Sequence, residues 1–343
     1  MAIHPVVSII TPSFNRADII HETAESIFNQ TYPHWEWVIT DDGSTDNSWE
    51  LLQQYAAKDQ RVKIFKRNRD PKGACVCRNI SVENCTGEYV LFLDTDDLMT
   101  SFCLQQRVDT VLQYPAADFV IFPMLLFKER PDDLKLLWNI DSAEDDVERI
   151  LLGDPVCQGT GTLWKKSSFV KAGMWSEQLL LWQDIELHLR SLLQGVKYIK
   201  RLDLMPDVFL RVSDVSLSRT GYHSLPKFLS RLQVLSETAE QIRQKNQLQQ
   251  YRKGLRHMFT DLFINAANSN YNEQVKEMLQ LQHEWNLFSA TEQRHFQRYA
   301  FIRKQKLYKI PFLQKSSLRK IANGVHAQEG TLNKISYQKT IQV

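Results

Sequence analysis

The feature that most restricts the fold is an alternation between Val6 and Phe122: short apolar, β-branched runs, each followed by a stretch with helical spacing. Val6–Thr11, Trp35–Thr40, Arg61–Lys66, Tyr89–Asp94 and Phe119–Phe122 read as strands, because apolar and branched side chains dominate each run. Between the first two, Ala17–Gln30 places Ile19, Ile20, Thr23, Ala24, Ile27 and Phe28 along one helical stripe. Asp46–Ala57, Gly73–Cys85 and Thr100–Tyr114 fill the other intervals as helices, with Ser44 or Asp46 available to cap the first of them. Such alternation with short connections predicts an α/β, Rossmann-like domain: a mainly parallel sheet with helices on both faces.

The pattern changes further along. Pro123–Ile150, with its acidic stretch Asp141–Glu148, reads as an insertion or a mobile loop. Gln183–Gln194 reads as a helix, and Lys197–Arg201 and Val208–Arg211 as strands. From about Ser224 strand character fades, and Leu225–Gln250, Tyr251–Asn268, Asn272–Phe288 and Thr291–Gln305 form a helical appendage rich in Leu, Gln, Lys, Arg and Glu. The expected organisation is a catalytic domain over 1–220, a helical region over 221–323 and a flexible tail over 324–343.

Composition narrows the setting. A net charge of +2 over 343 residues gives no reason to expect a nucleic-acid partner. The five cysteines are odd in number and sit among apolar neighbours, which points to a reducing compartment rather than a disulfide framework. The N-terminus lacks the basic lead and apolar core of a signal peptide, and no run approaches the ~20 apolar residues of a membrane span. The expectation is a soluble, cytoplasmic protein. One segment stands apart: 294–320 carries nine Lys or Arg and no Asp or Glu, interleaved with apolar residues. It is a candidate for peripheral contact with the inner face of the cell membrane, or else a helix packed on the catalytic domain with a solvated basic face.

Three polar clusters follow strand-like runs. In Phe92-Leu-Asp94-Thr-Asp96-Asp97, side chains two apart on extended chain point the same way, so Asp94 and Asp96 can converge on one ligand. Two carboxylates with phosphate oxygens are a common way to hold Mg²⁺ or Mn²⁺; the alternative is a polar turn capping the next helix. Asp41 and Asp42, directly after the second strand, can accept hydrogen bonds from a base or ribose, or simply form a turn. Thr11-Pro12-Ser13-Phe14-Asn15-Arg16 offers a ring for stacking, or is only a loop. No Gly-x-Gly-x-x-Gly or Gly-x-x-x-x-Gly-Lys loop is present, so dehydrogenase and P-loop readings lose their main support.

In combination, Val7-Ser-Ile-Ile-Thr-Pro-Ser-Phe-Asn-Arg, Ser26-Ile-Phe-Asn-Gln-Thr, Asp41-Asp-Gly-Ser-Thr-Asp, Gly73-Ala-Cys-Val-Cys-Arg78-Asn79 and Gly87-Glu-Tyr-Val-Leu-Phe-Leu-Asp94-Thr-Asp96-Asp97 resemble glycosyltransferase family 2. A weaker match runs through Gly173, Trp182-Gln-Asp184-Ile-Glu-Leu-His-Leu-Arg190 and Arg211 to Ser218. The resemblance implies a GT-A fold and inverting transfer from a nucleoside diphosphate sugar, with UDP the expected carrier, to a glycan or lipid-linked acceptor. It further implies that Pro12, Phe14, Asn15 and Asp42, with Asp41 nearby, contact the nucleoside. Gly73 and Arg78 would lie near the ribose or diphosphate, Asp94 and Asp96 would bind Mg²⁺ or Mn²⁺, and Asp184 would be the general base. For Arg78 a structural salt bridge is the competing role.

Two positions depart from the family. Gln183 stands where many relatives carry Glu, which removes a negative neighbour of Asp184. Ser213 stands where many carry a metal-approaching histidine, leaving the third ligand to be water or absent. The competing readings are a catalytically inactive relative serving as a nucleotide-binding scaffold, and nucleotidyl transfer, for which no Gly-rich phosphate loop is present. The sugar, the acceptor and the oligomeric state are not encoded legibly.

Overall fold

A computed structural model describes residues 4–213 and 220–322. Ser218 and the expected tail over 324–343 lie outside the described residues. Strands β1 (Val7–Ser13), β2 (Trp35–Asp41), β3 (Val62–Lys66) and β4 (Tyr89–Phe92) alternate with helices α1 (Ile20–Phe28), α2 (Ser48–Lys58) and α3 (Ala74–Asn84). Next come β5 (Leu98–Met99), α4 (Cys103–Gln113), β6 (Phe119–Ile121), β7 (Met124–Phe127), β8 (Leu136–Leu137) and α5 (Asp146–Leu151). They are followed by β9 (Thr162–Lys165), α6 (Lys166–Lys171), α7 (Gln183–Gln194), β10 (Tyr198–Lys200) and β11 (Val208–Arg211).

The main sheet has the order β10-β6-β9-β4-β1-β2-β3. β4, β1, β2 and β3 pair in parallel, as the alternation predicts, and β10 pairs in parallel with β6. β9 is the exception, antiparallel to both β4 and β6. A second sheet, β5-β11-β7-β8, lies beside the first. It corrects the expectation for Pro123–Ile150, which supplies β7, β8 and α5 rather than a loop. The apolar run Met124–Phe127 is fully buried because β11 and β8 flank it on either side.

The C-terminal helices are α8 (Leu225–Gln244), α9 (Arg252–Asn268), α10 (Asn272–Glu284), α11 (Ala290–Lys304) and α12 (Pro311–Ala322). Their apolar faces, including Phe228, Leu235, Phe259, Phe263 and Phe296, share one core with Val147 and Ile150 of α5 and Leu189 and Leu193 of α7. Gly254 lets α9 lie directly on α5, since a Cβ there would meet the Leu151 Cβ at 2.5 Å. The appendage is therefore packed onto the helix that opens with Gln183 and Asp184.

At the edge of the sheet away from the strand tips, Glu36 ties four strands together. It accepts from the Ser8 hydroxyl (2.6 Å), the Gly87 N–H (3.0 Å), the Thr86 hydroxyl (3.0 Å) and the Lys63 ammonium (2.6 Å). Gly87 is needed there because a Cβ would sit 2.3 Å from Ser8 Oγ. Burial alone would push the Glu36 carboxyl up, but the hydrogen bonds from Lys63, Ser8 and Thr86 outweigh it and draw it down to about 2. A lowered folded-state pKa stabilises above the unfolded value and is lost as pH falls towards the folded one. Glu36→Gln should therefore cost about 1–3 kcal/mol at neutral pH. The gap to the natural chain should close as pH falls from about 4.5 towards about 2, measured by urea unfolding across that range.

Candidate active site

Parallel strands end on one edge, and register aligns their tips: Ser13 of β1 lies beside Asp41 of β2, and Ile10 beside Phe92 of β4. The loops after these strands, with the start of α3 and the start of α7, line one cleft of about 870 Å³. Of the residues singled out from sequence, Pro12, Phe14, Asp42, Gly73, Arg78, Asp94, Asp96 and Asp184 all line it. Asn15 and Asp41 do not. Asn15, at φ 51°, uses its side-chain oxygen to accept from the Thr45 N–H (2.8 Å) and joins the β1 and β2 loops. Asp41 accepts from the N–H groups of Gly43 (3.0 Å) and Ser44 (2.9 Å), closing the turn in which Asp42 is held.

At one end of the cleft, Arg67 donates from Nε to Asp42 Oδ1 at 2.7 Å. The Lys72 ammonium sits 3.5 Å from the centroid of the Phe14 ring, a cation–π contact on the surface expected to stack. Gly73 takes φ 153°, a conformation that disfavours side chains, and leaves the backbone open to the cleft.

In the middle, Arg78 donates from Nη2 to Asp94 Oδ1 (2.6 Å) and from Nη1 to Gln183 Oε1 (3.2 Å). The loop after β4 is held from behind. Arg211 donates its backbone N–H to Asp97 Oδ1 (3.0 Å) and its Nε to the Asp96 carbonyl (3.1 Å). The Thr23 hydroxyl donates to the carbonyls of Thr95 (2.9 Å) and Asp97 (3.0 Å). Asp97 thus locks the loop, while Asp94 and Asp96 face the cleft. Burial, then the neighbouring Asp94, pushes the Asp96 carboxyl up, against Arg16 and Arg211. Burial raises Asp97 further still.

No group of three or more His, Cys, Asp or Glu among the described residues is arranged to hold a metal alone. The Asp94–Asp96 pair nevertheless fits a hard divalent cation. A cation would offset the Asp94 charge that adds to burial in raising Asp96, with water or phosphate oxygens completing the shell. Ser213 lines the same cleft.

Asp184 occupies the first turn of α7, preceded by Trp182 in the left-handed region at φ 61°. Its Oδ1 accepts from the Gly159 N–H at 2.6 Å, and its Oδ2 accepts no hydrogen bond from the described residues. Gly159 is positioned by a buried pair. Arg107 donates from Nε and Nη2 to the Asp207 carboxylate (2.9 and 2.7 Å) and from Nη1 to the carbonyls of Thr160 (2.9 Å) and Thr162 (3.2 Å). The sequence reading missed Lys72 and Gly159, while Trp182, quoted there within the motif around Asp184, also lines the cleft. Lys72 stands directly before Gly73, already singled out, and Gly159-Thr-Gly161 was visible as a glycine pair.

Residues 8–172 match the family model for glycosyl transferase family 2. The Escherichia coli UDP-Glc:alpha-D-GlcNAc-diphosphoundecaprenol beta-1,3-glucosyltransferase WfaP is 41% identical over 103 residues, 30% of this chain and 40% of WfaP. The chain spans less than half the length of the curated relatives it matches. The fold likeness reaches further. Staphylococcus aureus TarS 1–349, in complex with UDP-GlcNAc, aligns with a TM-score of 0.65 at 17% identity over 90% of both chains. Mannosyltransferase PcManGT from Pyrobaculum calidifontis, in complex with GDP-Man and Mn²⁺, aligns at 0.53 and 18% identity, over 94% of this chain and 87% of that one. The architecture is the GT-A fold.

The Arg107–Asp207 pair offers a test of the scaffold. Arg107→Met leaves Asp207 charged and buried, and should cost about 3–5 kcal/mol in urea unfolding. Arg107→Met combined with Asp207→Leu should regain most of that loss.

Proposed function

We propose, from the match of residues 8–172 to the family model of glycosyl transferase family 2, that this chain is an inverting glycosyltransferase using a nucleoside diphosphate sugar. The observation that carries the proposal is the convergence on one cleft of Phe14 and Asp42, Asp94 and Asp96, and Asp184, from four separate segments. UDP is the proposed carrier, since WfaP is named for UDP-Glc and TarS was solved with UDP-GlcNAc. The acceptor class is a glycan or lipid-linked hydroxyl, by analogy with the diphosphoundecaprenol acceptor in the name of WfaP. A reducing, cytoplasmic setting fits the five free, buried thiols.

In this reading Phe14 and Pro12 receive the base, Asp42 the base or ribose, and the open backbone at Gly73 approaches the phosphates. Asp94 and Asp96 would hold Mg²⁺ or Mn²⁺, which supplies positive charge to the departing diphosphate. Arg78 orients Asp94. The acceptor oxygen attacks the anomeric carbon as the bond to the diphosphate breaks, and Asp184 Oδ2 takes the hydroxyl proton. Oδ2 suits that role because the Gly159 N–H engages Oδ1 alone.

Release of nucleoside diphosphate from a panel of nucleotide sugars tests the activity itself. No turnover with any donor, despite nucleotide binding, would favour the scaffold reading. Asp184→Asn should bind donor and unfold like the natural chain, yet transfer at least about a hundredfold more slowly. Near-normal turnover by that folded variant would remove Asp184 as the base. UDP binding measured by calorimetry should weaken sharply in chelator and in Asp96→Asn. Equal binding with and without chelator would remove the metal assignment.

A further inference from the structure

The hairpin formed by α11, α12 and the turn between them has two faces of different character. Phe296 and Tyr299 of α11 and Ile321 of α12 are buried in the helical core, and Ile302 of α11 is buried as well. Phe301, Ile310 and Phe312 bracket the turn from the other side and are 56%, 49% and 78% exposed. Phe312 and Phe301 are the two most exposed large apolar side chains among the described residues. The same turn carries Lys304, Lys306 and Lys309, all exposed, with Arg298 just before it. Among the described residues no carboxylate pairs with any of these four cations. Glu292 at the head of α11 is engaged by Arg256.

We propose that this hairpin docks the enzyme on an anionic lipid bilayer, the aromatic rings entering the interface while the cations meet headgroup phosphates. An exposed ring alone is ordinary, but protruding rings among unpaired cations form the pattern that binds an interface. The packed half of the hairpin holds the exposed half in place, so little order has to be gained on docking. Residues 323–343 are a poor alternative cover, because they carry Lys334 and Lys339 against the single acid Glu329. No helix among the described residues is long and apolar enough to cross a membrane, so the contact is peripheral. The proposal uses no residue of the cleft and stands or falls apart from the activity proposed above.

The full chain is sedimented with vesicles of phosphatidylglycerol and phosphatidylcholine, and with phosphatidylcholine alone, at low and high salt. Binding is expected to the anionic vesicles, weakening as salt screens the charges. Lys304→Gln/Lys306→Gln/Lys309→Gln should bind them roughly a hundredfold more weakly, at about fivefold per cation. Phe301→Ser/Phe312→Ser should lose the binding that survives high salt. Both variants should bind UDP and unfold as the natural chain does, which separates a docking defect from a folding defect. Failure of the natural chain to bind anionic vesicles at low salt overturns the proposal. So does anionic-vesicle binding by either folded variant that matches the natural chain. A soluble polyanion that competes fully, with the Phe variant unaffected, would make the surface a polyanion site instead and overturn it equally.

Discussion

The Arg107–Asp207 ion pair is the joint on which the geometry of the cleft depends. Both side chains are wholly withdrawn from water, so each charge is tolerable only because the other, with added hydrogen bonds, compensates it. The pair reaches three pieces of chain at once. Arg107 projects from α4, Asp207 stands just before β11, and the Thr160 and Thr162 carbonyls lead into β9. The Asp207 carbonyl also accepts from the Thr100 N–H at 2.9 Å, which fixes the chain leaving the Asp94–Asp97 loop. From Thr160 the connection is short in both directions: its hydroxyl reaches Asp97 at 3.3 Å, and its neighbour Gly159 holds Asp184. The carboxylates proposed for the metal and for the proton thus hang from one buried charge pair.

That arrangement explains which parts of the site were legible in the sequence. Asp94 and Asp96 were paired on the two-residue period of extended chain, but β4 ends at Phe92 and both reach the cleft through a turn closed by the Asp97 N–H on the Asp94 carbonyl at 3.2 Å. Asp184 was found by resemblance, since nothing in its spacing connects it to residues ninety positions earlier. Asp41 and Asp42 looked alike as adjacent acids. Their separation into a turn-closing carboxylate and a cleft-facing one is set by the N–H groups of Gly43 and Ser44, a detail of backbone geometry. The parallel half of the sheet was legible because each of its strands is an apolar run of its own. β5 and β8 span two residues each, and their pairing is decided by partners far along the chain, which no local pattern announces. β9 was missed for the same reason, and with it the antiparallel step in the sheet.

The adjacent acids Asp96 and Asp97 show how one short motif divides its labour. Asp97 gives up solvent and accepts from Arg211 and Thr160, so it acts as a structural anchor whose cost is borne by the surrounding hydrogen bonds. Asp96 is left facing the cleft, with its carbonyl, not its carboxylate, engaged by Arg211. Holding the backbone while leaving the carboxylate uncommitted is what a ligand-binding acid requires. The same division appears at Asp184, where a backbone N–H fixes one oxygen and leaves the other.

Gln183 gives the clearest consequence of a departure from the family pattern. Its side-chain oxygen accepts from Arg78 at 3.2 Å, while Asp94 accepts from the same guanidinium at 2.6 Å. A charged hydrogen bond is roughly twice as strong as a neutral one, so the guanidinium commits to Asp94. A glutamate at 183 would compete for Arg78 on equal terms and draw it towards α7, away from the loop after β4. The neutral amide instead steadies the arginine without claiming it, and no second carboxylate stands beside Asp184 at that position. Arg78 therefore forms the salt bridge that sequence offered as its competing role, and forms it inside the cleft. The salt bridge does not draw the arginine out of the cleft, because the partner that anchors it is itself a residue of the cleft.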